Sequence, residues 1–326
     1  MHPTFYLGPL EFPAYFTFLT IGYLAAVLLA WKHTFKRQGV DPNKLLDLSI
    51  VLLISGLLGA RLLHVLADGS LDYYIDLCLD PLRAKGQHLP RMVPCTSDQQ
   101  CIDADKGELC NLAAGTCHQA QDCFRALKIW YGGLAFYGGL FLCVPVGIWY
   151  IHKHRARLHF WKVADLAGFG IPLGLVFGRL GCWFSGCCFG QVSDSACAVT
   201  FPRGSPAWER HIDEHLITRA AEAALPVLPA QLMQAGVNLV MFVICFVMWH
   251  RWRRFDGIVF ASFLALKAIG RFGVEYYRDD YRGVWLDGTL STSQLLGIPM
   301  LIAAVVLWFV LSRRRPSGPP TPPEAA

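Results

Sequence analysis

The residues of this chain best suited to chemistry stand inside apolar stretches, where charge is expensive. Between Gly257 and Tyr277 lie Arg271 and Glu275, with Arg278 at the edge of the stretch. Positions i, i+4 and i+7 share one face of a helix, so two guanidiniums flank one carboxylate and leave a net positive stripe. Such forked donors match a phosphate. The alternative is an ion-pair network between helices, or Arg278 snorkelling to an interface. Arg179 sits in Gly178-Arg179-Leu180-Gly181, with Gly174, Gly186 and Gly190 around it, so backbone can come close to a ligand or a neighbouring helix. Arg61 follows Gly59-Ala60 in a third apolar stretch. A charged side chain at the centre of a helix in lipid costs about 2.5–3.5 kcal/mol, so each needs a partner or a wet cavity. Arginines from three separate stretches, all towards one leaflet, point to a lipid headgroup phosphate.

Thiols are the second chemical resource. Six of the 12 cysteines, Cys78, Cys95, Cys101, Cys110, Cys117 and Cys123, crowd one polar segment and read as a disulfide-stapled module too small to have a sufficient core of its own. Cys182, Cys187, Cys188 and Cys197 form a second group. It reads as two disulfides in preference to a soft-metal site or a pair of reactive thiols near Arg179. Cys143 and Cys245 lie within apolar runs and read as packing residues. Tyr131-Gly132-Gly133 and Tyr137-Gly138-Gly139 repeat a pattern that would thin a helix and leave tyrosines beside a gap for a headgroup. His211 and His215 have zinc spacing if helical, but with no third ligand they read as a solvated face. No metal and no cofactor is expected.

The elements that must position these groups follow from composition. The chain has 326 residues, 54% hydrophobic and 16% charged, with mean hydropathy +0.38; a soluble domain carries about 25% charged residues. A helix needs roughly 20 apolar residues to cross the hydrocarbon layer. Runs 12–31, 129–152, 223–250 and 288–312 qualify without any Lys, Arg, Asp or Glu. Runs 48–67, 163–186 and 257–277 qualify if Arg61, then Asp165 and Arg179, then Lys267, Arg271 and Glu275 are admitted. The expectation is an all-α integral membrane protein of seven spans. Basic residues collect after spans one, three, five and seven, which puts the N-terminus outside and the C-terminus in the cytoplasm. The net charge of +5 then anchors inner loops and gives no reason for a nucleic-acid partner. The segments are spans one and two (1–67), an extracytoplasmic Cys-rich insertion (68–128), spans three to seven (129–312) with an outer loop at about 187–222, and a disordered tail (313–326).

With these residues in view, the chain resembles the prolipoprotein diacylglyceryl transferases of bacterial inner membranes. The resemblance runs through Val163-Ala164-Asp165-Leu166, Gly178-Arg179-Leu180-Gly181 and Gly190, which are similar to the family signature. Gly132-Gly133, Gly138-Gly139, Leu228-Pro229-Ala230-Gln231-Leu232, Arg271 with Val274-Glu275-Tyr276-Tyr277-Arg278, Ser293-Gln294-Leu295-Leu296 and Ile298-Pro299-Met300 extend it. Tyr15 falls where the family has a functional tyrosine.

The resemblance implies transfer of the diacylglyceryl group of phosphatidylglycerol to the lipobox cysteine of a prolipoprotein signal peptide, with release of glycerol phosphate. Arg179 and Arg271 would hold the phosphate and Glu275 would orient them. Arg278, Gln231, Tyr15, Arg61, Gly138, Gly139 and Ser185 would complete the substrate site among membrane lipids, and the Cys-rich insertion would meet an extracytoplasmic partner. Departures fall on the thiol-activating side. Tyr137 stands where the family has a histidine base, Cys182 and Cys187 where it has asparagine and glutamate, Ser185 for a second asparagine, and Leu228 and Gln234 for histidine and glutamate. Tyrosine, with a reference pKa of about 10, is a poor base at neutral pH unless Arg179 or Arg271 lowers it, the condition on which Tyr137 joins Arg179, Arg271 and Glu275 as a catalytic candidate. A thiol acceptor, at about 8.5, could instead be ionised by positive surroundings. The other reading is a phospholipid-binding scaffold with a different acceptor, or a thiol-redox or binding protein.

Overall fold

The computed structural model describes residues 4–8, 10–37, 40–67, 70–82, 95–103, 107–113, 115–128, 133–275, 284–285 and 290–313. In chain order the elements are the hairpin β1 (Thr4–Leu7) and β2 (Leu10–Pro13), then helices α1 (Ala14–Arg37), α2 (Pro42–Ala67), α3 (Leu71–Leu79) and α4 (Asp98–Asp103). The hairpin β3 (Leu109–Asn111) and β4 (Thr116–His118) and a 3-10 turn at Arg125–Leu127 follow. Helices α5 (Phe136–Lys153), α6 (Phe160–Ser185), α7 (Pro206–Asp213), α8 (Ala230–Arg251) and α9 (Ile258–Glu275), the short hairpin β5 (Val284–Trp285) and β6 (Leu290–Ser291), and α10 (Thr292–Ser312) complete it. The fold is helical, with three two-stranded hairpins among the described residues.

Five described helices are long and apolar enough to cross a membrane: Ala14–Thr34, Pro42–Ala67, Phe160–Ser185, Ala230–Arg251 and Gln294–Ser312. Leu24, Leu28, Ile54, Leu58, Val240, Ile302 and Phe309 are exposed along them, an arrangement that lipid tolerates and water does not. This is a multi-pass membrane protein. The other two expected spans are helices of 18 residues each, about 27 Å long against a hydrocarbon layer of about 30 Å. The third begins at Phe136, later than its apolar run, because Gly133 takes a left-handed φ of 70° and Gly133–Ala135 are not helical. Gly133 therefore breaks the chain before the helix instead of thinning it, and Tyr131 and Gly132 lie outside the described residues. So does the tail from 314 onwards.

The chain packs as two units, 1–46 with 155–326, and 47–154. In the first, α6 is the hub, lying against α1, α8 and α9, while α10 covers α9. Small residues allow the close approaches: a Cβ on Gly22 would strike Phe177 at 2.6 Å, and one on Gly168 would meet the backbone of Phe260 at 3.0 Å. Fully buried Asp165 caps α9 from α6, accepting from the amides of Gly257 (2.9 Å), Val259 (2.9 Å) and Phe260 (3.1 Å), with Arg253 at 3.3 Å. A carboxylate at a helix N-terminus satisfies amides that have no partner within the helix.

In the second unit α2 and α5 interlock through glycine. A Cβ on Gly59 would land on the Gly138 carbonyl, one on Gly138 on the Gly59 carbonyl, and one on Gly139 would lie 2.9 Å from Gly56 O. The Cys-rich segment is held by three disulfides, Cys78–Cys123, Cys95–Cys110 and Cys101–Cys117, as its composition predicts. Beside them the Asp122 carboxylate lies 2.6 Å from Lys128 Nζ, and this hydrogen bond holds it below the usual carboxylate value.

Candidate functional site

Arg179 and Cys182 stand one turn apart on the last stretch of α6. The helix ends at Gly186, whose left-handed φ of 71° lets the chain fold back so that the Cys187 amide donates to Cys182 O at 3.2 Å. Cys188 then adopts a φ of 59°, uncommon for a residue with a side chain. The outcome is a cluster: the sulfurs of Cys182, Cys187 and Cys188 lie within 4.8 Å of one another. Hydrogen bonds with Cys182 and Cys188, together with burial, push the Cys187 thiol up. Among the described residues neither these three nor the exposed Cys197 is disulfide-bonded. The expected pairing into two disulfides is thereby corrected: three sulfurs converge on one point, and Cys197 stands outside their cluster.

Neighbouring elements fix this turn. At Gly181 a Cβ would come within 3.1 Å of Tyr15 Cα and carbonyl O, so α1 starts against α6. Buried Gln231, at the start of α8, donates Nε2 to Cys187 O at 2.8 Å. A carbonyl only accepts, which settles the amide's orientation and leaves buried Oε1 without a hydrogen-bond partner among the described residues. Beyond the turn, Phe189, Phe201, Ala207, Ala224 and Val227 form a small core roofed by Trp183 and Trp208. His211 is buried beside it, in ring contact with Phe189 and accepting from the Leu225 amide through Nδ1. The solvated-face reading fails for His211, and α7 ends at Asp213, before His215, so the helical zinc spacing is absent as well.

A cationic pocket lies between α8 and α9. Lys267 Nζ donates to Asn238 Oδ1 at 3.2 Å, and the charges of Arg179 and Arg271 act on Lys267. Gln234, Asn238, Lys267 and Arg271 line a cavity of about 20 Å³ with Val237, Met241 and Gly270. The last three also wall an apolar groove of about 420 Å³ formed with Leu232, Val240, Ile244, Leu266 and Ile269. Polar pocket and apolar groove thus adjoin along Val237, Met241 and Gly270. Lys267, Asn238 and Gln234 were absent from the expected site. Their signal was present as Gln231, Gln234 and Asn238 at i, i+3 and i+7, a polar stripe along an otherwise apolar helix, facing Lys267 and Arg271 at i and i+4.

The remaining expected residues fall elsewhere. Arg61, 5% exposed, donates Nε to Ala126 O (2.7 Å), Nη1 to Gly133 O (3.0 Å) and Nη2 to Arg125 O (2.6 Å), and stacks on Tyr74. Its guanidinium fastens α2 to the segment after the disulfides, in place of the headgroup contact expected of it. Gly138 and Gly139 meet α2 backbone where a headgroup gap was expected. Tyr137, in the first turn of α5, is 46% exposed with its ring against Phe136. Ser185 closes α6, half-buried. Glu275 ends α9, with its side chain outside the described residues, as is all of Arg278.

The sequence model of a family described as prolipoprotein diacylglyceryl transferase matches residues 3–86 and 112–310. Cys95, Cys101 and Cys110 fall in the stretch between. The chain is 28% identical over 330 residues to the phosphatidylglycerol–prolipoprotein diacylglyceryl transferase of Stenotrophomonas maltophilia, covering 98% of this chain and 94% of that protein. It is 26% identical to the protein of that name from Geobacter sulfurreducens, covering 96% of each. With that of Allorhizobium ampelinum identity reaches 33%, over 58% of this chain and 60% of the relative.

Proposed function

The chain belongs to the prolipoprotein diacylglyceryl transferase family, and we propose on that premise that it moves the diacylglyceryl group of phosphatidylglycerol to the thiol of a prolipoprotein's lipobox cysteine. The observation that carries this reading is the cationic pocket adjoining an apolar groove between α8 and α9. A phospholipid has the same division into an anionic head and apolar tails. The acceptor sulfur forms a bond to the glyceryl carbon while the bond from that carbon to the phosphate oxygen breaks, and the electron pair leaves on glycerol phosphate. Negative charge grows on the phosphate, where preorganised Arg179 and Arg271 are worth several kcal/mol. Lys267 adds a third positive charge, and by the family resemblance Glu275 would orient the arginines while Arg278 would secure the headgroup. Gln231 Oε1, which has no hydrogen-bond partner among the described residues, suits a hydroxyl donor of the headgroup glycerol.

We read α5 and α9 as crossing the membrane too, giving seven spans with the N-terminus outside and the C-terminus in the cytoplasm, as the basic loops require. The bacterial inner membrane is the setting this implies, and the disulfide-held segment then faces the oxidising side. Purified protein in detergent, given phosphatidylglycerol and a lipobox peptide, should yield a diacylglyceryl peptide by mass together with glycerol phosphate. Arg271→Ala should lower the rate about 100-fold or more. Phospholipid binding with no adduct would mean a scaffold for another acceptor.

A further inference from the structure

We propose that Cys182, Cys187 and Cys188 form a three-thiolate site for a zinc-class divalent ion, whose fourth coordination position takes the acceptor's thiol. The proposal rests on the transferase reading and supplies what that reading lacks, a means of removing the acceptor's proton. Zinc–sulfur bonds of about 2.3 Å set tetrahedral sulfurs about 3.8 Å apart. Sulfurs already within 4.8 Å of one another reach that geometry by shifts of about an ångström.

The cluster is built. Cys182 is fixed by the helix and buried, and Cys187 is held by its own amide on Cys182 O and by Gln231 on its carbonyl. Cys188 keeps a positive φ that an unconstrained residue with a side chain would leave. Among the described residues the group contains no fourth histidine, cysteine or carboxylate. Three protein ligands with an open position is the pattern of catalytic zinc, whereas structural sites are closed by four. The half-buried Cys187 and Cys188 leave one side of the trio open. Arg179, one turn before Cys182, places the phosphate-binding charge next to that opening and offsets the excess of thiolate over metal charge.

On binding the ion, the acceptor's S–H gives its proton to solvent, since a coordinating thiol is deprotonated outright. The sulfur lone pair then attacks the glyceryl carbon, and the C–O electron pair leaves with glycerol phosphate. The ion keeps its charge and oxidation state and releases the thioether, which as a neutral sulfur is the weaker ligand.

Full-length protein purified without chelator should carry about one zinc per chain. The zinc should be lost in both Cys187→Ser and Cys188→Ser and kept in Cys197→Ser. After exchange into cobalt(II), thiolate-to-metal charge-transfer absorption should strengthen on addition of a lipobox peptide and stay unchanged with its cysteine-to-serine counterpart. Chelation should lower transfer about 100-fold, as loss of a positioned base does, with recovery on zinc. Transfer that survives chelation but is lost in Arg271→Ala overturns the metal site and leaves the transferase intact. If no preparation transfers, the cobalt spectrum still decides. No thiolate band, or a disulfide within the trio by mass, overturns the site, and zinc loss in Cys197→Ser overturns the open position.

Discussion

Arg61 and Arg179 look alike in the sequence, each an arginine beside small residues in an apolar run, yet their surroundings give them different work. Arg61 is saturated by carbonyl oxygens and an aromatic face. Its substitution by Ala should therefore lower expression and thermal stability, whereas Arg271→Ala should leave the melting temperature near wild type while abolishing transfer. Comparing the two variants by thermal unfolding in detergent and by adduct yield separates a structural arginine from a functional one. Tyr137→Phe tests whether the tyrosine replaces the family's histidine: with the acceptor's proton lost on the metal, turnover near wild type is expected, and loss of most turnover would bring the tyrosine into the mechanism.

At the scale of elements, α9 carries Lys267 and Arg271 and is held at its start by a carboxylate from another helix. Asp165→Ala would leave the amides of Gly257, Val259 and Phe260 without their acceptor and Arg253 without a buried partner. At roughly 1–3 kcal/mol for each orphaned buried group, a destabilisation of about 3 kcal/mol or more is expected, read as a lower unfolding temperature. The α2–α5 contact is as exacting. Gly138→Ala puts a methyl group on the Gly59 carbonyl, and overpacking of this kind costs about 1–3 kcal/mol, so the variant should unfold earlier and be rescued by no change of lipid.

At the scale of the whole molecule, the family match stops at residue 86 and resumes at 112, which leaves out Cys95, Cys101 and Cys110 of the disulfide-held segment. Cys95–Cys110 and Cys101–Cys117 close loops of 15 and 16 residues, each worth about 3 kcal/mol. Reduction should strip hydrogen-exchange protection from residues 95–118 while α6, α8 and α9 keep theirs. The Asp122–Lys128 pair adds a pH dependence. A carboxylate held below its usual 3.8 stabilises the fold fully above that value, and the contribution disappears as pH falls below it. Protection around residues 122–128 should therefore hold from neutral pH to about 4 and decline beneath, and Asp122→Asn should remove that step.

Apolar runs, basic loops and cysteine clustering were enough to determine a multi-pass helical chain with a stapled segment, because lipid and redox compartment act on composition before any tertiary contact forms. The arginines were legible for the same reason, as charges that lipid would not tolerate without a task. What those charges do was not legible. Only tertiary packing gave Arg61 to backbone carbonyls, brought Lys267 to Asn238, closed the Gly138 gap with Gly59, and drew three cysteines to one point. A side chain's partner depends on which helix turns which face to it, and that is set by glycine contacts and caps between segments far apart in the chain.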